Sequence, residues 1–145
     1  MPLLWVLLVV TLTITFLSNA EQQRQERNTV YADVTAASVN VLVYRNAVAN
    51  FASSNPTFSG TVSDAQLVLP SWYVKSASLG NYISAGISYS FYTSVLPGLV
   101  GELARRTESV NVGTNQNGVL LAPNMANMGV TLPAQIPNGS VVLIQ

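Results

Sequence analysis

The chain opens on an apolar run from Leu3 to Phe16, interrupted only by Thr11, Thr13 and Thr15, and the charged stretch Glu21-Gln-Gln-Arg-Gln-Glu-Arg27 follows soon after. A membrane-spanning helix takes roughly 20 apolar residues, with a lower limit near 17. Leu3 to Ala20 reaches that limit if the hydroxyls of Thr11, Thr13, Thr15 and Ser18 return to the helix carbonyls. Pro2 suits a helix start, where its missing N–H is not needed. A cleaved signal peptide is the alternative, with Ser18-Asn-Ala20 as its cleavage site, but it lacks the basic start such peptides carry. The pattern favours an uncleaved transmembrane anchor over residues 1–20.

Nothing stops the helix there. Glu21 to Asn28 holds neither Gly nor Pro. Beyond it, Val30, Val34, Ala37, Val41, Tyr44, Val48 and Phe51 recur at spacings of 4, 3, 4, 3, 4 and 3, a heptad-like seam. A second, smaller stripe (Ala32, Ala36, Val39, Val43 and Ala47) falls on roughly the opposite face. One face is expected to be core for the chain's own sheet. The smaller stripe is then the candidate partner contact. Pro56 disfavours helical geometry at the residue before it, so the amphipathic helix is predicted over residues 21–53.

The remaining segment, residues 54–145, is long enough for one small core. Short strands are predicted at Gln66 to Leu69 and Ser71 to Ser76. The clearest alternation runs from Tyr82 to Thr93, with Ile83, Ala85, Ile87, Tyr89 and Phe91 sharing one face. That face is expected under the long helix. Pro97 opens a short helix ending at Arg105 and Arg106, where cations suit the helix dipole. Val110 to Gly113 and Val119 to Ala122 flank a hairpin turn, Pro123 to Pro137 reads as a loop, and Ser140 to Gln145 is a terminal strand. The fold class is α+β: an N-terminal transmembrane helix continuing into a long amphipathic helix, then a small antiparallel-sheet domain. A ferredoxin-like order (helix-strand-strand-helix-strand-strand) and a pilin-like helix laid on a sheet both fit, and both stay open.

Composition narrows the chemistry. Six basic and six acidic residues make up 8% of the 145 residues, so no field exists to steer nucleic acid. Cysteine and histidine are absent, which removes thiol nucleophiles, Ser-His triads and the usual zinc sites. A Ser/Lys hydrolase would have to use Lys75, the only lysine, with Ser71 or Ser76; a lone lysine among many serines reads as solvated surface. Glu102, Glu108 and Asp64 could pair only by tertiary accident, and Arg105 and Arg106 are nearer neighbours for Glu102. Trp72, Tyr73 and Tyr82 read as core or cross-strand packing rather than an exposed patch. No catalytic, cofactor-binding or metal residue stands out, and the expectation is a protein that is not an enzyme and needs no cofactor.

The opening Met-Pro-Leu-Leu-Trp-Val-Leu-Leu-Val-Val, the sparing use of charge, and the close Ile136-Pro-Asn-Gly-Ser-Val-Val-Leu-Ile-Gln145 together resemble the small PilM family of type IVb pilus clusters. The resemblance implies a structural subunit of the inner-membrane platform for pilus biogenesis, supporting conjugation or adhesion. Its partners would be other pilus-assembly proteins and the inner membrane, with a homo-oligomer left open and no nucleic acid. It supplies no catalytic residues. The expected location is the bacterial inner membrane, single-pass, with the C-terminal domain periplasmic. Arg24 and Arg27 after the apolar run argue the other way on topology, but a Lys-poor, Ser/Asn-rich domain suits the outside. A minor pilin or pseudopilin is the alternative, although the apolar run lacks the acidic residue pilins usually carry. A secreted or periplasmic binding domain, or a Ser/Lys hydrolase, is the third reading.

Overall fold

The computed structural model describes residues 2–94, 96–109, 111–124 and 126–145. Val110, at the predicted start of a strand, lies outside them, as do the side chains of Ser18 to Ala20 and of Arg24 on which the cleavage-site and topology arguments rest. Helix α1 runs from Pro2 to Ser54. The chain falls into two compact units, residues 1–33 and 34–145, and α1 contributes to both.

The first unit is the N-terminal part of α1. Among the described residues, no helix is long and apolar enough to cross a membrane. The expected transmembrane anchor is therefore corrected, and with it the single-pass inner-membrane location. The physical reason is length. Leu3 to Leu17 spans 15 residues, about 22 Å of helix against a hydrocarbon core of about 30 Å. The hydroxyl and charged positions that follow from Ser18 to Glu21 do not extend the apolar stretch.

In the second unit, α1 continues to Ser54, where the Asn55 amide donates to the Phe51 carbonyl at 2.9 Å and takes up an end-of-helix acceptor. Six strands follow in one antiparallel sheet: β1 (Leu79–Ser84), β2 (Ile87–Tyr92), β3 (Val112–Gln116), β4 (Val119–Leu121), β5 (Asn127–Thr131) and β6 (Val141–Ile144). Helix α2 (Leu99–Thr107) lies between β2 and β3 in the chain. The spatial order is β1-β2-β6-β3-β4-β5, so the last strand enters the middle and joins the β1–β2 hairpin to the β3–β4–β5 meander. Val-Val-Leu-Ile suits that position, because a central strand covered on both faces needs apolar residues on both. Val141 and Leu143 enter the core on the helix side, while Val142 packs on the opposite side with Tyr89, Leu120, Leu132 and Ile136.

The alternation from Tyr82 to Thr93 is two strands, not one. Ala85 and Gly86 both take positive φ, 49° and 81°, and make a two-residue turn. The turn changes which residues share a face. Ile83 stands opposite Ser88, and Tyr82 opposite Tyr89. Ile83 therefore packs beneath α1, whereas Tyr89 and Phe91 belong to the far-side cluster and Ile87 is exposed. The Asn117-Gly118 turn between β3 and β4 uses the same positive-φ geometry, at 52° and 81°. Gln66 to Leu69 and Ser71 to Ser76 form no strand, the nearest regular element being a short 3-10 turn at Asp64–Gln66, and β5 occupies part of the predicted loop.

The helix-side core takes Val34, Val41, Tyr44 and Val48 from α1 and Leu99 and Leu103 from α2. At Gly113 the backbone of β4 comes so close that any Cβ would collide with the Leu121 carbonyl oxygen. Gly101, in α2, faces open space. Gly113→Ala should destabilise the domain by about 1–3 kcal/mol, and Gly101→Ala should stabilise it by about 0.5–1 kcal/mol. Urea unfolding of the two variants tests both signs; a neutral Gly113→Ala would contradict the β3–β4 register.

Candidate docking surface

The bulky seam of α1 is filled by the chain's own sheet from Val34 onward, while Val30 remains exposed. The smaller stripe has a different fate at each position. Ala32 lies in the first unit and is exposed. Ala36 and Val39 are exposed in the second unit, and Val43 is half-buried. Ala47 is buried and belongs to the helix-side core. The stripe is thus a free flank at Ala36 and Val39 that closes toward the end of the helix. A cleft of about 210 Å³ beside Ala47, Phe51, Gln66 and Val68 marks where the chain's own loop meets it.

That loop, residues 55–78, bridges to β1 only between Gly60 and Ile83, and from Tyr73 to Ser76 it is held to the helix by side chains. Asn40 donates from Nδ2 to the Val74 carbonyl at 2.7 Å, and its Oδ1 accepts from the Ser76 amide at 3.3 Å. The Tyr73 hydroxyl donates to the Asn40 side-chain oxygen or main-chain carbonyl, each at 3.0 Å. One helix amide therefore satisfies backbone groups that would otherwise call for a neighbouring strand, which is why Ser71 to Ser76 needs none.

Beneath it sits a more buried cluster. Asn81, on β1, donates to the Tyr44 hydroxyl at 2.6 Å and to the Val62 carbonyl at 2.9 Å, and accepts from the Val62 N–H at 2.8 Å. Tyr44 donates to Asp64 Oδ1 at 3.1 Å. Lys75 Nζ reaches both Asp64 oxygens, at 2.8 and 3.0 Å, and lies 4.8 Å from the centre of the Tyr44 ring. Burial pushes the Tyr44 hydroxyl pKa up. Burial, followed by the nearby Tyr44 and Asp64 charges, pushes Tyr73 up to about 12. For Lys75, burial pulls the pKa down, but the bonds to Asp64 and Tyr44 outweigh it and the net shift is upward. Lys75 is accordingly an ammonium committed to Asp64, the opposite of the neutral amine that a Ser/Lys pair requires. Glu102 is bound by Arg105 and Arg106 at 2.8 and 2.6 Å, and those hydrogen bonds hold its pKa at about 2. Among the described residues, no three acidic side chains gather where a metal could bind.

The outward side of the loop is apolar. Val68, Trp72 and Val74 are 91%, 68% and 80% exposed, while their neighbours Tyr73 and Lys75 turn inward to the helix. Trp72, read from sequence as packing, is thus surface, whereas Tyr73 and Tyr82 are half-buried as expected. The Asn40–Val74 bond sets this apolar loop beside the Ala36–Val39 flank. Alternation along Trp72-Tyr-Val-Lys75 carries the signal for the loop, but with the apolar residues outward it reads equally well as a half-buried strand.

The PilM family model matches residues 8–144. The fold is similar to the crystal structure of a protein described as PilM from Escherichia coli B7A, with 25% identity and a TM-score of 0.61 over 79% of this chain and 93% of that one. It is also similar to one from Pseudomonas aeruginosa 2192, with 38% identity and a TM-score of 0.52 over 78% of this chain and 95% of that one. No curated protein is matched.

If the polar cluster holds the loop against the helix, its members should differ sharply in cost. Asn81→Ala strands the Val62 N–H and carbonyl in the core and should cost about 3 kcal/mol in urea unfolding. Lys75→Ala, at a partly exposed ion pair, should cost about 1 kcal/mol or less; equal costs would contradict this assignment. The pH dependence follows from Tyr73. Its folded pKa is raised above the unfolded value of about 10, so its contribution is complete below pH 10 and is lost as pH rises toward 12. Alkaline unfolding of the native chain should show a larger loss than Tyr73→Phe, in which Tyr44 and Tyr89, also raised by burial, still contribute.

Proposed function

Because this chain belongs to the PilM family it has a pilus-related role, and we propose that it is a non-enzymatic subunit of a type IVb pilus-assembly apparatus that works by docking other assembly proteins. The observation that carries the reading is a set of exposed apolar side chains, Ala36 and Val39 on the free flank of a helix whose other face is already filled, and Trp72 and Val74 on the loop bonded to that helix at Asn40. Small side chains at Ala36 and Val39 let a partner helix approach closely. Trp72 supplies the kind of large aromatic anchor that dominates binding energy at interfaces.

The charge distribution supports the same reading. Six acidic and six basic residues in 145 leave a surface carried by neutral polar groups, so docking relies on shape and apolar burial rather than electrostatic steering. The lysine that a hydrolase would need is engaged in holding the loop. Support for conjugation or adhesion is part of the proposal and follows from the pilus that such an apparatus builds.

Ala36→Glu combined with Val39→Glu should leave urea stability within about 0.5 kcal/mol, since both positions are exposed. Co-purification with pilus-assembly proteins, and pilus formation itself, should fail, because two carboxylates cannot be desolvated without partners. Normal pili from this variant would remove the docking role. Unfolding would instead mean that the flank is core.

A further inference from the structure

Asn117-Gly118 and Asn138-Gly139 are the chain's two Asn-Gly steps, and both asparagines are exposed. Such a step is open to spontaneous loss of ammonia, because glycine carries no side chain to shield its main-chain nitrogen. That nitrogen gives up its proton and attacks Cγ of the asparagine. The new N–C bond closes a succinimide ring, the bond to the side-chain nitrogen breaks, and ammonia leaves carrying the proton. Water then opens the ring at either carbonyl, giving aspartate or isoaspartate. The reaction asks two things of a folded chain: a glycine N–H free to lose its proton, and an asparagine side chain free to swing onto that nitrogen.

One buried residue restrains both steps. Asn115, on β3, is 3% exposed. Its Nδ2 donates to the Ile136 and Pro137 carbonyls at 2.8 and 3.1 Å, and because carbonyls only accept, this fixes which way the amide is turned. Oδ1 is left to accept the Gly118 N–H at 2.9 Å, while the main-chain carbonyl of Asn115 accepts the Gly139 N–H at 2.8 Å. Both attacking nitrogens thus have their protons committed to Asn115. The two asparagines differ in their own freedom. Asn138 Oδ1 accepts the Asn117 N–H at 2.8 Å, which ties the Asn138 side chain to the neighbouring turn. Among the described residues, the Asn117 side chain has no hydrogen-bond partner. Asn117 therefore has one bond to break before its ring can close, and Asn138 has two.

We propose that Asn117 is the site at which the folded chain converts spontaneously to aspartate and isoaspartate, and that Asn115 is the positioning residue that restrains this conversion. The two products differ in effect. Aspartate leaves the backbone of the turn intact. Isoaspartate routes the main chain through Cβ, adding a methylene to the two-residue turn that sets β4 in register with β3.

Peptide mass spectrometry of the full chain, incubated at neutral pH with and without urea, reads each conversion by the mass gained when an amide becomes an acid. Each hydrogen bond that must break slows ring closure about fivefold, so relative to the chain in urea Asn117 should convert about fivefold more slowly and Asn138 about 25-fold more slowly. Asn115→Ala removes the acceptor for Gly118 but keeps the main-chain carbonyl that holds Gly139. With circular dichroism showing the variant folded, Asn117 should convert about fivefold faster than in the native chain, while Asn138 stays slow. A general loosening of the sheet would raise both sites together. Three results would overturn the proposal: conversion of both sites in the folded chain at their rates in urea; Asn138 converting at least as fast as Asn117 in the folded chain; or a folded Asn115→Ala variant in which Asn117 is unchanged or both sites rise equally. The comparison with urea decides the order of the two sites whether or not the variant folds.

Discussion

One helix face organises this protein. Between Val34 and Ala52, α1 buries Val34, Val41, Tyr44, Val48 and Ala52 against a sheet that supplies Leu79, Ile83, Val112, Val141 and Leu143. A helix can give only one such face to a sheet, so its flank must be covered by a loop, taken by a partner or left wet. Here the chain's own loop closes the flank at Ala47 and leaves it open at Ala36 and Val39. Burial of the hydrophobic face also fixes where α1 is anchored, because the unit it belongs to begins at Val34.

The loop is held by polar bonds, and that choice bears on function. Asn40, Tyr44 and Asn81 bind backbone and side-chain groups of residues 62–76, while Val62 and Leu67 anchor the loop in the helix-side core. The loop's other apolar side chains point outward. Val68, Trp72 and Val74 do so on a loop bonded to the helix at Asn40. A surface of this kind suits protein docking. Lys75, the lysine a Ser/Lys pair would use, is held as a cation by Asp64.

Much of the framework was legible in the pattern of residues. The seam at alternating spacings of 3 and 4 identified the buried face from Val34, Asn117-Gly118 marked a hairpin, and the apolar terminal strand was clear. The misses share a physical origin. Ala85-Gly86 is an atypical turn pair, since alanine rarely takes positive φ, and alternation continued through it as though through one strand. Trp72-Tyr-Val-Lys75 alternates like a strand, but its backbone partners are the side chain of Asn40, which lies more than 30 residues earlier and carries no local signal. β5, with glycine and asparagine in a short edge segment, lacks the apolar bias that announces a strand. The apolar opening was read as a membrane span because its composition is that of one; 15 residues, Leu3 to Leu17, fall short of the bilayer. Of the five candidate contact residues, Ala47 was lost to the core because the loop that covers it could not be placed from sequence.

The central claim is that the flank of α1 and the loop beside it form one docking surface on a domain held together by the opposite face. Amide hydrogen exchange tests it most directly, comparing the chain alone with the chain in its co-purified pilus-assembly complex. The account predicts exchange slowed at residues 36–43 and 68–76, with β5 and α2 unchanged. Slowing confined to β5 or α2, with no change at 36–43 and 68–76, would contradict it.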